Sequence, residues 1–350
     1  MPGPGRNEGP TAGTGRPEDG GHVNIIKDRD IAAKPLEGLT VAVIGYGNQG
    51  EAHALNARDS GVDVVVGLRP ASLSRSTAEL RGLRVLGVAE ACEAGDVIAL
   101  MVPDDVMPEV IDEVVVPHAR PGAALLFAHG FPIRFGGVEP PAGLDVVMVA
   151  PMGPGLRLRE RYVEGGGLPG AYSVEQDATG HAARIALEYA KAIGLTRVGL
   201  FRTTCAEETE IDLFSEQAVL CGGVTRLVRA GFETLVEAGY PAELAYMECL
   251  YELDLTVNLI RRYGIEGMRK RISRTALFGD LTRGDTVVGD EVRAGMKRVL
   301  EDVRDGTFAR ELMEEQKGGG RTIDRRMKEE GERLIEEMGA RLADVAHRED

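Results

Sequence analysis

A two-part α/β chain, with a nucleotide-binding half built on a parallel sheet and an all-helical half after it, is what the sequence predicts, on three observations. A complete Gly45-x-Gly47-x-x-Gly50 turn follows a short apolar run. Short apolar stretches then alternate with polar or amphipathic connections, the spacing of a parallel sheet covered by helices. Beyond residues 195–205 helical periodicity replaces that alternation, and two carboxylate pairs, Asp212/Glu216 and Glu248/Glu252, each stand four residues apart.

Length and charge frame the function. The 350 residues, 43% of them hydrophobic, can fill two moderate cores. With 41 basic against 56 acidic residues the formal charge is -15, which disfavours nonspecific binding to nucleic acid or to an anionic membrane. An anionic small substrate would therefore need a local positive patch or a bound metal. No apolar run approaches the roughly 20 residues of a bilayer span, and the first residues lack a hydrophobic signal core. The expectation is a cytoplasmic protein with neither a membrane nor a nucleic-acid partner. Cys92, Cys205, Cys221 and Cys249 have no zinc-ribbon or CxxC spacing, so reduced packing thiols are expected.

Residues 1–22 are rich in Gly and Pro, too poor in apolar side chains to build a core, and read as a disordered extension. The nucleotide-binding half is placed at 23–200. Leu39–Ile44 is its first apolar strand, followed by Val62–Leu68, Val85–Leu86, Val97–Met101, Ala124–Ala128 and Val146–Val149, with an amphipathic helix at Gly180–Ile193. The helical half is placed at 201–346, with helices over Glu207–Leu220, Thr225–Ala238, Glu243–Tyr263, Glu291–Glu315 and Glu329–Ala346. Gly222-Gly223, Gly239-Tyr240-Pro241 and Gly279–Gly289 are read as connections, and 347–350 as a flexible tail.

The cofactor chemistry starts in the Gly45-Tyr46-Gly47-Asn48-Gln49-Gly50 turn. Glycine at 45 permits a tight turn, at 47 close approach of a pyrophosphate, and at 50 close helix packing. The helix that follows offers amide donors and a favourable field to phosphate. After Val62–Leu68 there is no acidic residue of the kind that binds the ribose of NAD. Arg69, Ser72, Ser74 and Arg75 follow instead, a set suited to a 2′-phosphate, so NADPH is expected. Surface solvation accounts for any one of them equally well.

Asp212 and Glu216 share one face of a helix, as do Glu248 and Glu252 on another. If the two faces converge, their oxygen-rich surroundings suit one or two magnesium ions, which would offset carboxylate repulsion and polarise a substrate carbonyl. A solvated acidic face is the plain alternative. Against it stand Leu213, Phe214, Leu250 and Leu253, which imply substantially buried helices. Ser273 is a candidate substrate ligand, with a helix cap as its simpler role.

From about Ile25 to Met338 the chain closely resembles the ketol-acid reductoisomerase family, also called acetohydroxyacid isomeroreductases. The resemblance runs through Gly45-Tyr-Gly-Asn-Gln-Gly50, Asn56-Ala-Arg-Asp-Ser-Gly61, Phe127-Ala-His-Gly130 and Ala150-Pro-Met-Gly-Pro-Gly155. It continues in Glu207-Glu-Thr-Glu-Ile-Asp-Leu-Phe-Ser-Glu-Gln217, Ala218-Val-Leu-Cys-Gly-Gly223 and Gly231–Tyr240. It implies a Rossmann-type first domain and a knotted all-helical second domain, in the short class I form, interlocked in a homodimer or an assembly of dimers. It also implies conversion of 2-acetolactate or 2-aceto-2-hydroxybutyrate to a 2,3-dihydroxy acid, by Mg²⁺-dependent alkyl migration and NADPH reduction, in branched-chain amino-acid biosynthesis. Asp212 and Glu216 match its first metal-binding pair, Glu248 and Glu252 its second, the latter contributed from the partner subunit, with two ions expected. Ser273 matches its substrate-contacting serine, His129 its histidine near the cofactor, and Gly155 falls in a cofactor-binding motif. Glu252 is the candidate for substrate proton transfer.

The chain departs from the family pattern near these motifs. Met152 and Ala206 stand where the family usually has lysine, Arg274 where aspartate is common, Leu277-Phe278 where a more polar pair is, and Pro132 and Arg134 where asparagine and histidine are usual. The metal carboxylates, Ser273 and the glycines are intact. An active reductoisomerase is therefore the leading expectation. A relative acting on a different 2-keto or acetohydroxy acid, and a noncatalytic NADP-binding protein, are the alternatives.

Overall fold

The computed structural model describes residues 24–346, so the extension expected over 1–22 and the tail expected over 347–350 lie outside the described residues. Its strands are β1 (Ile25–Ile26), β2 (Thr40–Ile44), β3 (Asp63–Gly67), β4 (Arg84–Leu86), β5 (Val97–Leu100), β6 (Ala124–Phe127), β7 (Asp145–Pro151), β8 (Gly170–Gln176) and β9 (Leu200–Arg202). All belong to one sheet, in the order β1-β9-β8-β7-β6-β5-β2-β3-β4. From β4 through β7 the pairing is parallel. The parallel sheet expected from sequence is thus present and continues into a mixed edge: β8 is antiparallel to β7, β9 parallel to β8, and β1 antiparallel to β9. These strands lack an apolar run to betray them. Gly170–Gln176 mixes Tyr172 and Val174 with Gly, Ser and Glu, and β1 and β9 span only two and three residues.

The period-2 alternation of strand side chains divides the core into two layers. Val41 and Val43 of β2, Val97 and Ala99 of β5, and Ala124 and Leu126 of β6 face one apolar cluster, under the helices Asn48–Asp59 and Ala182–Ala192. Ala42, Ile44, Ile98, Leu100, Leu125 and Phe127 face the other, against Ala91 and Cys92 and the helical run holding Met107, Ile111 and Val115. Both faces of the central strands are therefore dry, which explains why they read as continuous apolar runs rather than alternating ones.

From Cys205 to Ala346 every described element is helical. The helices Cys205–Ser215 and Ala242–Tyr246 each continue into a π turn, Glu216–Leu220 and Met247–Tyr251 respectively. Gly279–Gly289 is not a connection: the helix Arg274–Val287 runs through Gly279 and Gly284, and only Val288-Gly289 breaks it. Glycine in an exposed helix costs about 1 kcal/mol, too little to end one by itself. Gly306, at φ 77°, does divide the expected Glu291–Glu315 helix. This half has a small core of its own, chiefly Phe232, Ala245, Tyr246 and Met338, while Ile211, Leu220, Leu244, Phe278, Leu281 and many other apolar side chains are exposed.

Leu126 is fully buried at the centre of the sheet and Leu80 is 88% exposed. Leu126→Ala is expected to lower the unfolding free energy of the ligand-free protein by about 2–5 kcal/mol, and Leu80→Ser to change it by under about 0.5 kcal/mol. Urea denaturation followed by circular dichroism checks both.

Candidate active site

The site begins at the carboxyl ends of β2 and β5, neighbours at the point where the strand order reverses, which is where open α/β sheets form a ligand crevice. Gly45 leaves β2 at φ 102°, and a Cβ there would stand 2.4 Å from the Met101 carbonyl oxygen just beyond β5. A Cβ on Gly50 would stand 2.5 Å from Gly45 O, whereas one on Gly47 would meet nothing within 4 Å. The outer glycines thus close the turn on itself, and the middle one leaves bare backbone facing open space at the start of the helix Asn48–Asp59. That is a fitting cradle for a pyrophosphate.

A second glycine turn locks against the first. A Cβ on Gly155 would lie 2.0 Å from Asn48 O, and Gln49 Nε2 donates to Gly153 O at 3.1 Å. Gly155 is buried here, so its place in this site is the close packing of two helix starts rather than an open surface. Tyr46 sends its ring into the core beneath the turn. Its hydroxyl has no hydrogen-bond partner, and burial, with the Glu51 charge adding, pushes its pKa up to about 12.

Arg69 is exposed just past β3, Ser72 lies in the turn that follows and Ser74 opens the helix Ser74–Leu80, with Ser72 Oγ accepting from Ser74 N–H at 3.4 Å. Arg75 donates from Nη1 to the carbonyls of Leu68 at 3.1 Å and Leu86 at 3.3 Å, which pins the ends of β3 and β4.

His129 follows β6. Its Nε2 lies 3.2 Å from Asp104 Oδ1, an ion-pair approach whose alignment falls short of a hydrogen bond. Burial pushes the His129 pKa down, but the carboxylates of Asp104, Glu208 and Asp212 outweigh it and hold it above the usual value. Next door, Gly130 makes room for the helix Cys205–Ser215: a Cβ would stand 2.3 Å from Cys205 O and 2.6 Å from Thr209 Oγ1. That contact lets Gly130 N–H donate to Glu208 at 2.7 Å. Burial and the nearby Asp212 charge, opposed by this bond and by His129, push the Glu208 pKa up to about 7.

Asp212 and Glu216 continue the stripe from Glu208. Partial loss of hydration raises the pKa of both, with Asp212 adding to the effect at Glu216 and His129 opposing it at each. Glu248 and Glu252 sit on another helix. All four side chains are exposed, so the buried carboxylates expected from Leu213, Phe214, Leu250 and Leu253 are corrected. Those apolar neighbours are themselves only partly covered, because much of the surface around them has no cover within one chain. Nor do the two pairs converge within the chain: among the described residues no group of three or more His, Cys, Asp or Glu is placed to hold a metal ion. Ser273 is exposed and caps the helix Arg274–Val287, accepting from Ala276 N–H at 3.1 Å.

Asp104 and Glu208 are the residues that sequence reasoning missed. The signals were available: Asp104 lies just past the end of a central parallel strand, and Glu208 precedes Asp212 by one helical turn. Of the departures from the family pattern, Met152 is 52% exposed at the second glycine turn. Arg134 donates to Glu210 at 3.0 Å and to the Arg304 carbonyl at 3.3 Å.

Comparison with known proteins accords with this arrangement. Residues 35–199 match the family described as acetohydroxy acid isomeroreductase, NADPH-binding domain, and residues 205–347 match ketol-acid reductoisomerase, C-terminal domain. The structure of an NADH-preferring ketol-acid reductoisomerase from an uncultured archean is similar at a TM-score of 0.88 and 41% identity, over 92% of this chain and 99% of that one. A putative oxidoreductase from Jannaschia sp. shares the fold at 18% identity and a TM-score of 0.58, over 76% of this chain and 97% of its own. A semialdehyde dehydrogenase NAD-binding protein from Cupriavidus necator does so at 19% and 0.52, over 75% and 99%. With both halves matched in sequence and a relative of 41% identity aligned over nearly the whole fold, the chain belongs to the ketol-acid reductoisomerase, or acetohydroxy acid isomeroreductase, family.

Proposed function

We propose that the protein is a Mg²⁺- and NADPH-dependent ketol-acid reductoisomerase acting on 2-acetolactate or 2-aceto-2-hydroxybutyrate. The observation that carries this reading is the meeting of the glycine cradle, His129 and the Glu208-Asp212-Glu216 stripe at the carboxyl ends of adjacent parallel strands. An all-oxygen donor set suits a hard cation. Asp212 and Glu216 would hold one side of a two-ion site, and Glu248 and Glu252 of the partner subunit the other. A homodimer with interlocked, knotted helices would accomplish this and cover the exposed apolar side chains of the helical half. Mg²⁺ held by these carboxylates would supply Lewis-acid polarisation of the substrate. NADPH in the glycine cradle supplies the hydride.

The chain's own groups handle position and protons. Alkyl migration requires the C2 hydroxyl to lose a proton and the C3 oxygen to gain one, and reduction of the new C2 ketone consumes another. Glu208, fixed by Gly130 N–H and titrating near pH 7, can hold a proton beside the carboxylates. His129 is oriented toward Asp104, and Glu252 is the proton-transfer candidate from the opposite wall. Ser273, at the start of its helix, would contact the substrate carboxylate. Arg69, Ser72 and Ser74 would take the 2′-phosphate of NADPH. The exposed Met152 on the glycine turn favours, as a second reading, a different acetohydroxy or 2-keto acid as substrate.

Wild-type protein should convert 2-acetolactate to 2,3-dihydroxyisovalerate only with Mg²⁺ and NADPH. Asp212→Asn should remove Mg²⁺-dependent turnover while leaving NADPH affinity within about twofold, seen by product detection and NADPH fluorescence. Product from other acids alone would favour the second reading, and tight nucleotide binding without turnover of any would favour a noncatalytic protein. Arg69→Ala should lower kcat/KM for NADPH by about tenfold and barely alter that for NADH; equal losses with both would remove Arg69 from the phosphate site. Glu208 titrates near 4.5 unfolded and about 7 folded, so the folded state holds the extra proton between these values. Its stabilising effect is full below the unfolded pKa and is lost as pH rises through the folded one. Melts of the metal-free protein from acid to neutral pH should show this decline in wild type and a flatter profile in Glu208→Gln, and matching profiles would contradict the assignment.

A further inference from the structure

Both carboxylate pairs stand where the helix leaves α geometry. Glu216 opens the first π turn, which Cys221 N–H closes by donating to Glu216 O, five residues back, at 2.9 Å. Glu248 lies inside the second, which Glu252 N–H closes onto Met247 O. A turn of this kind admits an extra residue, is rare, and occurs mostly as a single turn within an α-helix, frequently at functional sites. In an α-helix a residue four positions on overshoots the full turn by about 40°. With the extra residue it falls short instead, so the second turn resets the direction of Glu252 relative to Glu248.

The two wide turns rest on one helix, Gly222–Glu237, through glycines. At its start a Cβ on Gly222 would stand 2.1 Å from Gln217 O, and one on Gly223 2.2 Å from Ala218 O. Each clash is with a carbonyl five residues back, the spacing of the wide turn itself, so side chains at 222 and 223 would push that turn out of shape. In the middle of the helix a Cβ on Gly231 would lie 3.4 Å from Cys249 Sγ, within the second wide turn. At Gly222 and Gly223 the contact is backbone, with no flexible end to move aside, whereas at Gly231 it is a short side chain at the near edge of ordinary contact.

We propose that Gly222, Gly223 and Gly231 are positioning residues for the metal carboxylates: one helix, bare at three points, holds both wide turns and so fixes the directions of Glu216, Glu248 and Glu252. The inference rests on the metal reading proposed above. It gives Gly222-Gly223, which first read only as a connection, a role in metal geometry.

Mg²⁺ binding is measured by calorimetry on the full-length, NADPH-bound protein, with metal-free thermal melts alongside. The variants are Gly222→Ala, Gly231→Ala and a control, Gly331→Ala, whose added methyl meets nothing within 4 Å. Mg²⁺ affinity should fall about tenfold or more in Gly222→Ala, in the range of losses seen when groups that orient metal ligands are altered, and by less, about threefold, in Gly231→Ala, where the contact is looser. NADPH affinity and the Gly231→Ala melt should match wild type, and so should the control throughout. A wild type that binds no Mg²⁺ overturns the metal reading and this inference with it. A wild type that binds Mg²⁺ beside a folded Gly231→Ala of equal affinity overturns the inference alone, as does an equal loss in the control. If Gly222→Ala does not fold, Gly231→Ala decides the matter.

Discussion

The absence of a Cβ at a few buried points is the constraint on which the rest of the molecule depends. Gly45 against Met101 O, Gly50 against Gly45 O, Gly155 against Asn48 O and Gly130 against Cys205 O are backbone-on-backbone approaches that a methyl group would prevent. The first three draw the ends of two strands and the starts of two helices to one place, where β2 and β5, uninterrupted runs of β-branched and aliphatic residues, already fix the platform. The fourth seats the helical half on that platform. Because the approach is so close, Glu208 reaches Gly130 N–H and its charge comes within range of His129.

Once acids are brought that close, their electrostatics follow from crowding and loss of water. Glu208, Asp212 and Glu216 are all held toward their protonated forms, and His129 toward its charged form, each partly offsetting the other's cost. Such a cluster is an unfavourable arrangement that a divalent cation relieves. The carboxylates proposed as metal ligands stand in two separate places on the chain, so in the proposed assembly full relief would come from a second copy.

Much of this was legible in the residues. Val41-Ala-Val-Ile44 before Gly45 announces a doubly covered strand and a phosphate turn, and Asp212/Glu216 announce a shared helical face. Three kinds of information were not legible. Short or polar strands such as β1, β8 and β9 are formed by the neighbours they pair with, not by their own pattern. Apolar residues beside Asp212 and Glu248 read as a sign of burial, which the packing of the single chain does not provide. An i, i+4 spacing was read with α geometry, and no local propensity in Glu216–Leu220 or Met247–Tyr251 marks the wider winding. The residues that reveal it are glycines further along, Gly222 and Gly223, and only their contacts make the point.

Arg134, which departs from the family pattern, sits one turn beyond His129 and grips both Glu210, on the helix that carries Asp212, and the carbonyl end of the helix Asp290–Arg304. Together with the Gly130 contact this bolts one wall of the cleft to the helical half at two points. On the opposite wall the second glycine turn is held by the Gln49 side chain, by the Gly155 packing and by Met152 N–H donating to Pro169 O, and it leaves the Met152 side chain half exposed. A thioether in place of a charged amine there leaves that edge of the cleft soft and uncharged, so the anchoring charge on this side of the fold is carried by the arginine wall instead.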